Sequence, residues 1–175
     1  ITAVDDFTSE YGYVKVLKAV SQPKTALFIS FPCTGGCLFN VGINATKAAA
    51  RVKIQGHWKL FHKLWNNYEK LCRCVEHVIP TIMEWPRHNA FWKVPKVIRR
   101  LARNNMASAE FDGCQYGLTE KDGDKPLLKP WRFSSNIVEV LKAFQSLCPR
   151  DHIHGSTCGK NAIHSQYYTP YLAAS

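Results

Sequence analysis

Three short apolar runs, each stopped by a turn residue and each preceded by a stretch of helical periodicity, limit this chain to few architectures. Thr25–Phe31 ends at Pro32, Ile79–Trp85 ends at Pro86, and Ser108–Phe111 runs into Asp112-Gly113. Runs of this length without polar alternation suit strands covered on both faces. Ahead of the first run, Thr8–Val20 sets Tyr13, Val16, Leu17 and Val20 at helical spacing behind a Thr8 or Ser9 cap. From Ala45 to His77, a three-four spacing of Trp58, Phe61, His62, Trp65, Tyr68, Glu69 and Cys72 predicts a helix whose aromatics pack into a core. Lys93–Asn105 predicts a third helix. Strands separated by helices imply right-handed crossovers and a parallel sheet with helices on both faces. Gln115–Leu118 and Leu127–Phe133, flanking a polar turn at Thr119–Lys125, predict a hairpin, and Ile137–Ser146 a last helix. The expected fold class is α/β: a mostly parallel sheet over residues 1–146, with a Cys/His-containing tail, 147–175, packed on it.

In such sheets, sites form in the loops at the carboxyl ends of the strands. Pro32–Cys37, Glu84–Arg87 and Asp112–Gly117 are therefore expected to converge. In the first loop Cys33 follows a proline and precedes Gly35-Gly36. A thiol among free backbone amides near a helix start has a lowered pKa and becomes a nucleophile. A cysteine there serves equally as a small buried residue. In the second loop, Glu84 ends an apolar strand. A carboxyl group in such a place needs a partner or a task. With a raised pKa it can donate a proton to a ring nitrogen; the structural alternative is a salt bridge to Arg87.

Charge points to a partner. Lys and Arg number 23 against 13 Asp and Glu, a net charge of +10 in 175 residues, and a field of that sign attracts polyanions, nucleic acid above all. Lys93, Lys96, Arg99, Arg100 and Arg103 line up on one predicted helix behind Phe91 and Trp92. Cations with an aromatic to stack on suit a nucleic-acid surface, although a solvated face has the same composition. No apolar run approaches the ~18–20 residues of a membrane span. The first ten residues carry Asp5, Asp6 and Glu10 and no basic start, which predicts no signal peptide and no membrane partner. Seven cysteines, an odd number, are then expected as reduced thiols in an intracellular compartment, nuclear or cytoplasmic.

Taken together, the segments resemble the catalytic half of DNA cytosine-5 methyltransferases. Leu27-Phe28-Ile29-Ser30-Phe31-Pro32-Cys33-Thr34-Gly35-Gly36 looks like that family's Pro-Cys motif, and Thr81-Ile82-Met83-Glu84-Trp85-Pro86 like its glutamate strand. Phe111–Arg132, with Tyr116-Gly117 and Lys129-Pro130-Trp131-Arg132, is similar to a later motif in which a Tyr-Gly turn precedes basic residues. Val4-Asp5-Asp6-Phe7-Thr8 resembles the motif whose aspartate touches the adenine of S-adenosylmethionine. The combination also resembles a divergent methyltransferase-like segment of retrotransposon polyproteins, over roughly residues 1–136.

The resemblance implies a partial Rossmann-like methyltransferase sheet acting on nucleic acid, DNA rather than RNA. It makes Cys33 the nucleophile and Glu84 the partner of ring nitrogen N3. Arg132 or Arg87 would contact base or phosphate, Lys129 the nucleic acid, and Asp6 and Pro32 the cofactor, S-adenosylmethionine. The chemistry needs these groups. A thiolate adding at C6 makes C5 enamine-like, so that it can take a methyl group, and an acid at N3 stabilises the developing charge. The base must be single-stranded or leave the helix. The departures are the family's Glu-Asn-Val, here Glu84-Trp85-Pro86, and its Gln-x-Arg-x-Arg, here Lys129-Pro130-Trp131-Arg132. The family's glycine-rich cofactor loop and acidic ribose-binding residue have no counterpart in this sequence, which implies a neighbouring segment that completes the cofactor site. Two alternatives stand beside the enzyme: a catalytically inactive basic nucleic-acid-binding module of a retroelement or viral polyprotein, and another cysteine-nucleophile enzyme.

The tail adds Cys148, His152, His154 and Cys158 within eleven residues. These are the ligand types and number for tetrahedral zinc, at a spacing unlike a standard finger. A polar tail with hydrogen-bonded histidines is the alternative.

Overall fold

The computed structural model describes residues 5–174; Val4 of the Asp-rich motif lies outside them. Helix α1 (Glu10–Val20) is capped by the Ser9 hydroxyl, which accepts from the Gly12 amide at 3.0 Å. Strand β1 (Leu27–Ile29) leads through the Pro32–Cys37 turn to a short α2 (Leu38–Val41) and the long α3 (Ala48–Cys74). Strand β2 (Thr81–Pro86), α4 (Pro95–Arg103) and β3 (Ala107–Asp112) follow. After a looped return come β4 (Pro130–Ser135), α5 (Val138–Ala143), α6 (Lys160–His164) and α7 (Pro170–Ala174).

The sheet order is β1-β2-β4-β3. Among the described strands of this sheet only β1 and β2 pair in parallel; β4 runs antiparallel to both β2 and β3. The expected mostly parallel sheet is therefore a mixed one. The reason lies in the connection after β3. It contains no crossover helix, and without one the chain can only return antiparallel. The expected first hairpin arm coils instead into a turn, Gly113–Tyr116, closed by Gly117 at φ 74°, where an L side chain would be strained. What remains of that hairpin is a bridge at Thr119 and Pro126, with the Leu127 amide donating to the Leu118 carbonyl at 2.8 Å. Because β4 reverses direction between two strands that do not, β1, β2 and β3 all point the same way, and their carboxyl-end turns share one edge.

Two cores sit on opposite faces. On one, Phe61, Trp65, Tyr68 and Leu71 of α3 pack with Tyr13 and Val20 of α1, Val97 of α4, and Met83 and Trp85 of β2. The helical spacing of these aromatics put them on one buried stripe, as the sequence suggests. On the other face Phe111, Trp131, Phe133, Phe144 and Leu172 pack together, with Ile82 of β2 against them. Strand alternation explains the division: Met83 and Trp85 point one way, Ile82 and Glu84 the other. The first apolar run is not buried on both faces. It forms the edge strand β1, where Phe28 is 47% exposed. Among the described residues no helix is long and apolar enough to cross a membrane.

Candidate functional site

The turns after β1 and β2 are joined by Asn89, a residue that sequence reasoning passed over. Buried to 2% exposure, it donates from Nδ2 to the Cys33 carbonyl at 2.8 Å and accepts the Phe91 amide at 2.9 Å. A Cβ on Gly36 would lie 2.0 Å from its Oδ1, so only glycine lets the Cys33 turn approach so closely. Trp85 Nε1 adds a second tie, to the Phe31 carbonyl at 3.0 Å.

Glu84, 5% exposed, lies inside β2, two residues before its end, on the face of the second core. Its Oε2 accepts from the Ser30 hydroxyl at 2.7 Å and from the Tyr168 hydroxyl at 2.8 Å. Burial pushes its carboxyl up, and the two hydroxyls and the Lys129 ammonium offset only part of that. Burial pushes the Lys129 ammonium down against the pull of Glu84 and Cys33. Its Nζ donates to the Ser165 carbonyl and lies 5.2 Å from the Trp131 ring centre. The Glu84 and Lys129 charges both act on the Cys33 thiol, which itself packs against the first core. The Cys33 thiol, expected to be lowered by backbone amides, is instead raised, by burial first and then by the Glu84 charge, with Lys129 opposing. The half-buried thiol packs against the first core, and a backbone hydrogen bond offsets only part of what that burial costs its charged form. A protonated Glu84 removes the carboxylate's part in raising the thiol, so the two protonation states are linked.

Tyr168 comes from the tail and carries no motif that would announce it. Its ring packs edge-on against Phe28 at 5.9 Å and tilted against Trp131 at 6.1 Å. It also walls an apolar pocket of about 380 Å³ between Phe28, Phe133 and Phe144; Glu84 does not reach that pocket.

Other sequence-derived candidates fall elsewhere. Arg132 pairs across the ladder with Trp85, and so lies on the opposite face of the sheet from the Glu84 side chain. Its guanidinium stacks 4.7 Å over Trp92 and donates to the Ser108 hydroxyl at 2.8 Å. Arg87 does not pair with Glu84; it bridges Glu110 and Asp112, each at 3.0 Å. Arg100 is buried against Glu69 rather than displayed to a phosphate. Lys96 donates to Asn66 at 3.1 Å and covers the Phe61 ring. Lys93, Arg99 and Arg103 are exposed. Phe91 and Trp92 are buried and offer no stacking platform.

Asp6 and Pro32 line one pocket of about 600 Å³ beside the free edge of β1, with Ser30, Phe31 and Leu64. Both Asp6 carboxylate oxygens accept from Thr8, at 2.8 and 2.7 Å. Tyr68 also lines it. Its buried hydroxyl has no partner of hydrogen-bonding geometry, although Thr81 and Cys72 lie nearby. The volume lies in the usual range for a small-molecule site.

In the tail, Cys148, His152 and His154 come together as expected, but the fourth member is Cys114, from the turn after β3. Cys158 is exposed and outside the cluster. These four groups can hold a metal ion. Cys114 follows a strand end, the one signal that could have nominated it, since the three strand ends share an edge.

No family model matches the chain, and no curated protein and no solved structure matches it.

Proposed function

We propose that this is a cytosine-5 methyltransferase-like domain with a Rossmann-like sheet, whose Cys33 and Glu84 act together on a nucleic-acid base, DNA more readily than RNA. What supports the reading is a half-buried thiol in the turn after β1 that feels the charges of a buried carboxyl on β2 and of the half-buried Lys129 amine. A carboxyl group kept protonated by burial can donate to a ring nitrogen, and its neutrality lowers the cost of forming a thiolate next to it. The Cys33 thiol releases its proton to solvent, and the thiolate then adds at C6, forming the S–C6 bond and moving the ring's electron pair towards C5. Proton donation from Glu84 to N3 relieves the charge. Lys129, near both groups, is better situated than Arg132 to hold the base oxygen. Tyr168 occupies the Glu84 carboxyl in this structure, so a base must displace its hydroxyl.

S-adenosylmethionine, when bound, would supply the methyl group. We assign one end of it to the pocket beside β1, which Asp6, Pro32 and Tyr68 line. The glycine-rich loop and acidic ribose partner of the family are absent from this sequence. A neighbouring polypeptide segment would complete the site, and the 175-residue chain should bind the cofactor more weakly than micromolar by calorimetry. Zinc is the metal we propose for the Cys/His cluster, in a structural role apart from this chemistry.

The raised Cys33 thiol and the seated Tyr168 favour a second reading, an inactive basic nucleic-acid-binding module of a retroelement or viral polyprotein. A DNA oligonucleotide carrying pyrimidin-2-one in place of cytosine discriminates between the two readings, since its C6 accepts a thiolate without a methyl donor. A covalent adduct that disappears in Cys33→Ala is expected. Salt-sensitive binding with no adduct would end the enzymatic proposal and leave the module.

A further inference from the structure

The turn after β3 and the segment after α5 meet at four metal-ligating side chains. One ligand atom each from Cys114, Cys148, His152 and His154 lies within 4.8 Å of all the others. Cys148 Sγ is 3.4 Å from His154 Nε2 and 3.7 Å from His152 Nε2. A tetrahedral zinc ion, with Zn–S about 2.3 Å and Zn–N about 2.0–2.1 Å, holds sulfur and nitrogen about 3.6 Å apart. The two observed separations bracket that value.

The surroundings have the character of a metal site's outer shell. His152 Nδ1 lies 2.8 Å from the Asp151 carboxylate, so the ring can donate there and turn the Nε2 lone pair to the cluster. The Arg150 amide donates to Cys148 Sγ at 3.3 Å. The Cys148 amide donates to Asp112 Oδ2 at 3.0 Å, holding this cysteine against the end of β3.

We infer that Cys114, Cys148, His152 and His154 bind one zinc ion as a closed structural site, which staples the tail to the turn after β3. The inference rests on the zinc assignment made above and not on the chemistry at Glu84. Two thiolates and two imidazoles fill the four positions, leaving none for water or substrate. Each thiol releases its proton to solvent as its Zn–S bond forms. A ligand from the distant 113–116 turn makes the ion a cross-link rather than a local knot in the tail. The tail beyond it brings Ser165 to Lys129 and Tyr168 to Glu84. The ion thus fixes the root of the segment that covers the Glu84 site.

The test uses the full chain, purified and reconstituted with zinc. About one bound equivalent is expected, with two sulfurs and two nitrogens around the metal by X-ray absorption. Cys158→Ser should retain that equivalent, and Cys114→Ser should lose most of it. A wild-type content below about a tenth of an equivalent, a first shell of three sulfurs or of nitrogen and oxygen alone, or metal loss in Cys158→Ser but not in Cys114→Ser would each overturn the inference. Should Cys114→Ser not fold, alkylation of the wild type decides. Zinc should shield Cys114 and Cys148 until a chelator is added, while Cys158 reacts at once; Cys114 reacting as fast as Cys158 in the presence of zinc refutes the site. The pyrimidinone adduct at Cys33 enters none of these measurements, so the two proposals fail separately.

Discussion

Replacing Tyr168 by Phe removes one hydroxyl and leaves the ring packed on Phe28 and Trp131. The main hydrogen bond lost is the one donated to Glu84 Oε2 at 2.8 Å, together with a longer contact to the Ser30 hydroxyl at 3.3 Å, after which the Glu84 oxygen keeps Ser30. With Glu84 neutral, such a bond contributes about 0.5–1.5 kcal/mol, and with Glu84 ionised about 1.5–3 kcal/mol. The cost should therefore rise with pH. Burial already pushes the Glu84 carboxyl up, and the Tyr168 hydroxyl holds it partly down, so Tyr168→Phe raises it further. The native state then holds a proton that the unfolded chain releases at about pH 4.3. Stability falls as pH rises from there to the folded value, and the variant's fall extends further. Urea denaturation at acidic and neutral pH, with and without Glu84→Gln, reads this directly. In the Gln background the cost should shrink to about 0.5–1.5 kcal/mol and lose its pH dependence. For a chain of this size each kcal/mol corresponds to about 2–4 °C in Tm. A cost that is negligible at both pH values, or identical in the two backgrounds, would show that Tyr168 does not engage Glu84.

Glu84→Gln by itself should stabilise the protein at neutral pH and do little in acid, because the wild type alone has a raised carboxyl to ionise; denaturation midpoints across pH check this. Gly36→Ala should cost about 1–3 kcal/mol, since its Cβ would strike Asn89. Gly56→Ala, in the interior of α3 with open space around it, should gain about 0.5–1 kcal/mol, and thermal melts of the pair test whether packing or helix propensity governs each. Arg100→Ala should cost about 3 kcal/mol by stranding Glu69, without changing the salt dependence of DNA binding. Arg99→Ala or Arg103→Ala should leave stability nearly unchanged and lower the salt slope by about one each, as titrations at several ionic strengths would reveal.

Periodicity and turn chemistry, both local, were readable along the chain. The stripe from Phe61 to Leu71 had to form a buried helix face, and the prolines and glycines after the apolar runs had to end them. That Cys33 sits in the turn after a strand followed from the same signals, whereas Glu84, expected to end its strand, lies two residues inside β2. What the tertiary structure decided were the pairings between distant residues. The register of β4 against β2 set Arg132 on the far face, and the residue just ahead of β4, Lys129, feels the charge of Glu84. The return of the tail exchanged Cys158 for Cys114 and brought Tyr168 to Glu84. Such contacts depend on which surfaces close over one another once the two cores are packed. Spacing along a chain fixes which face a side chain occupies, but not which remote segment meets that face.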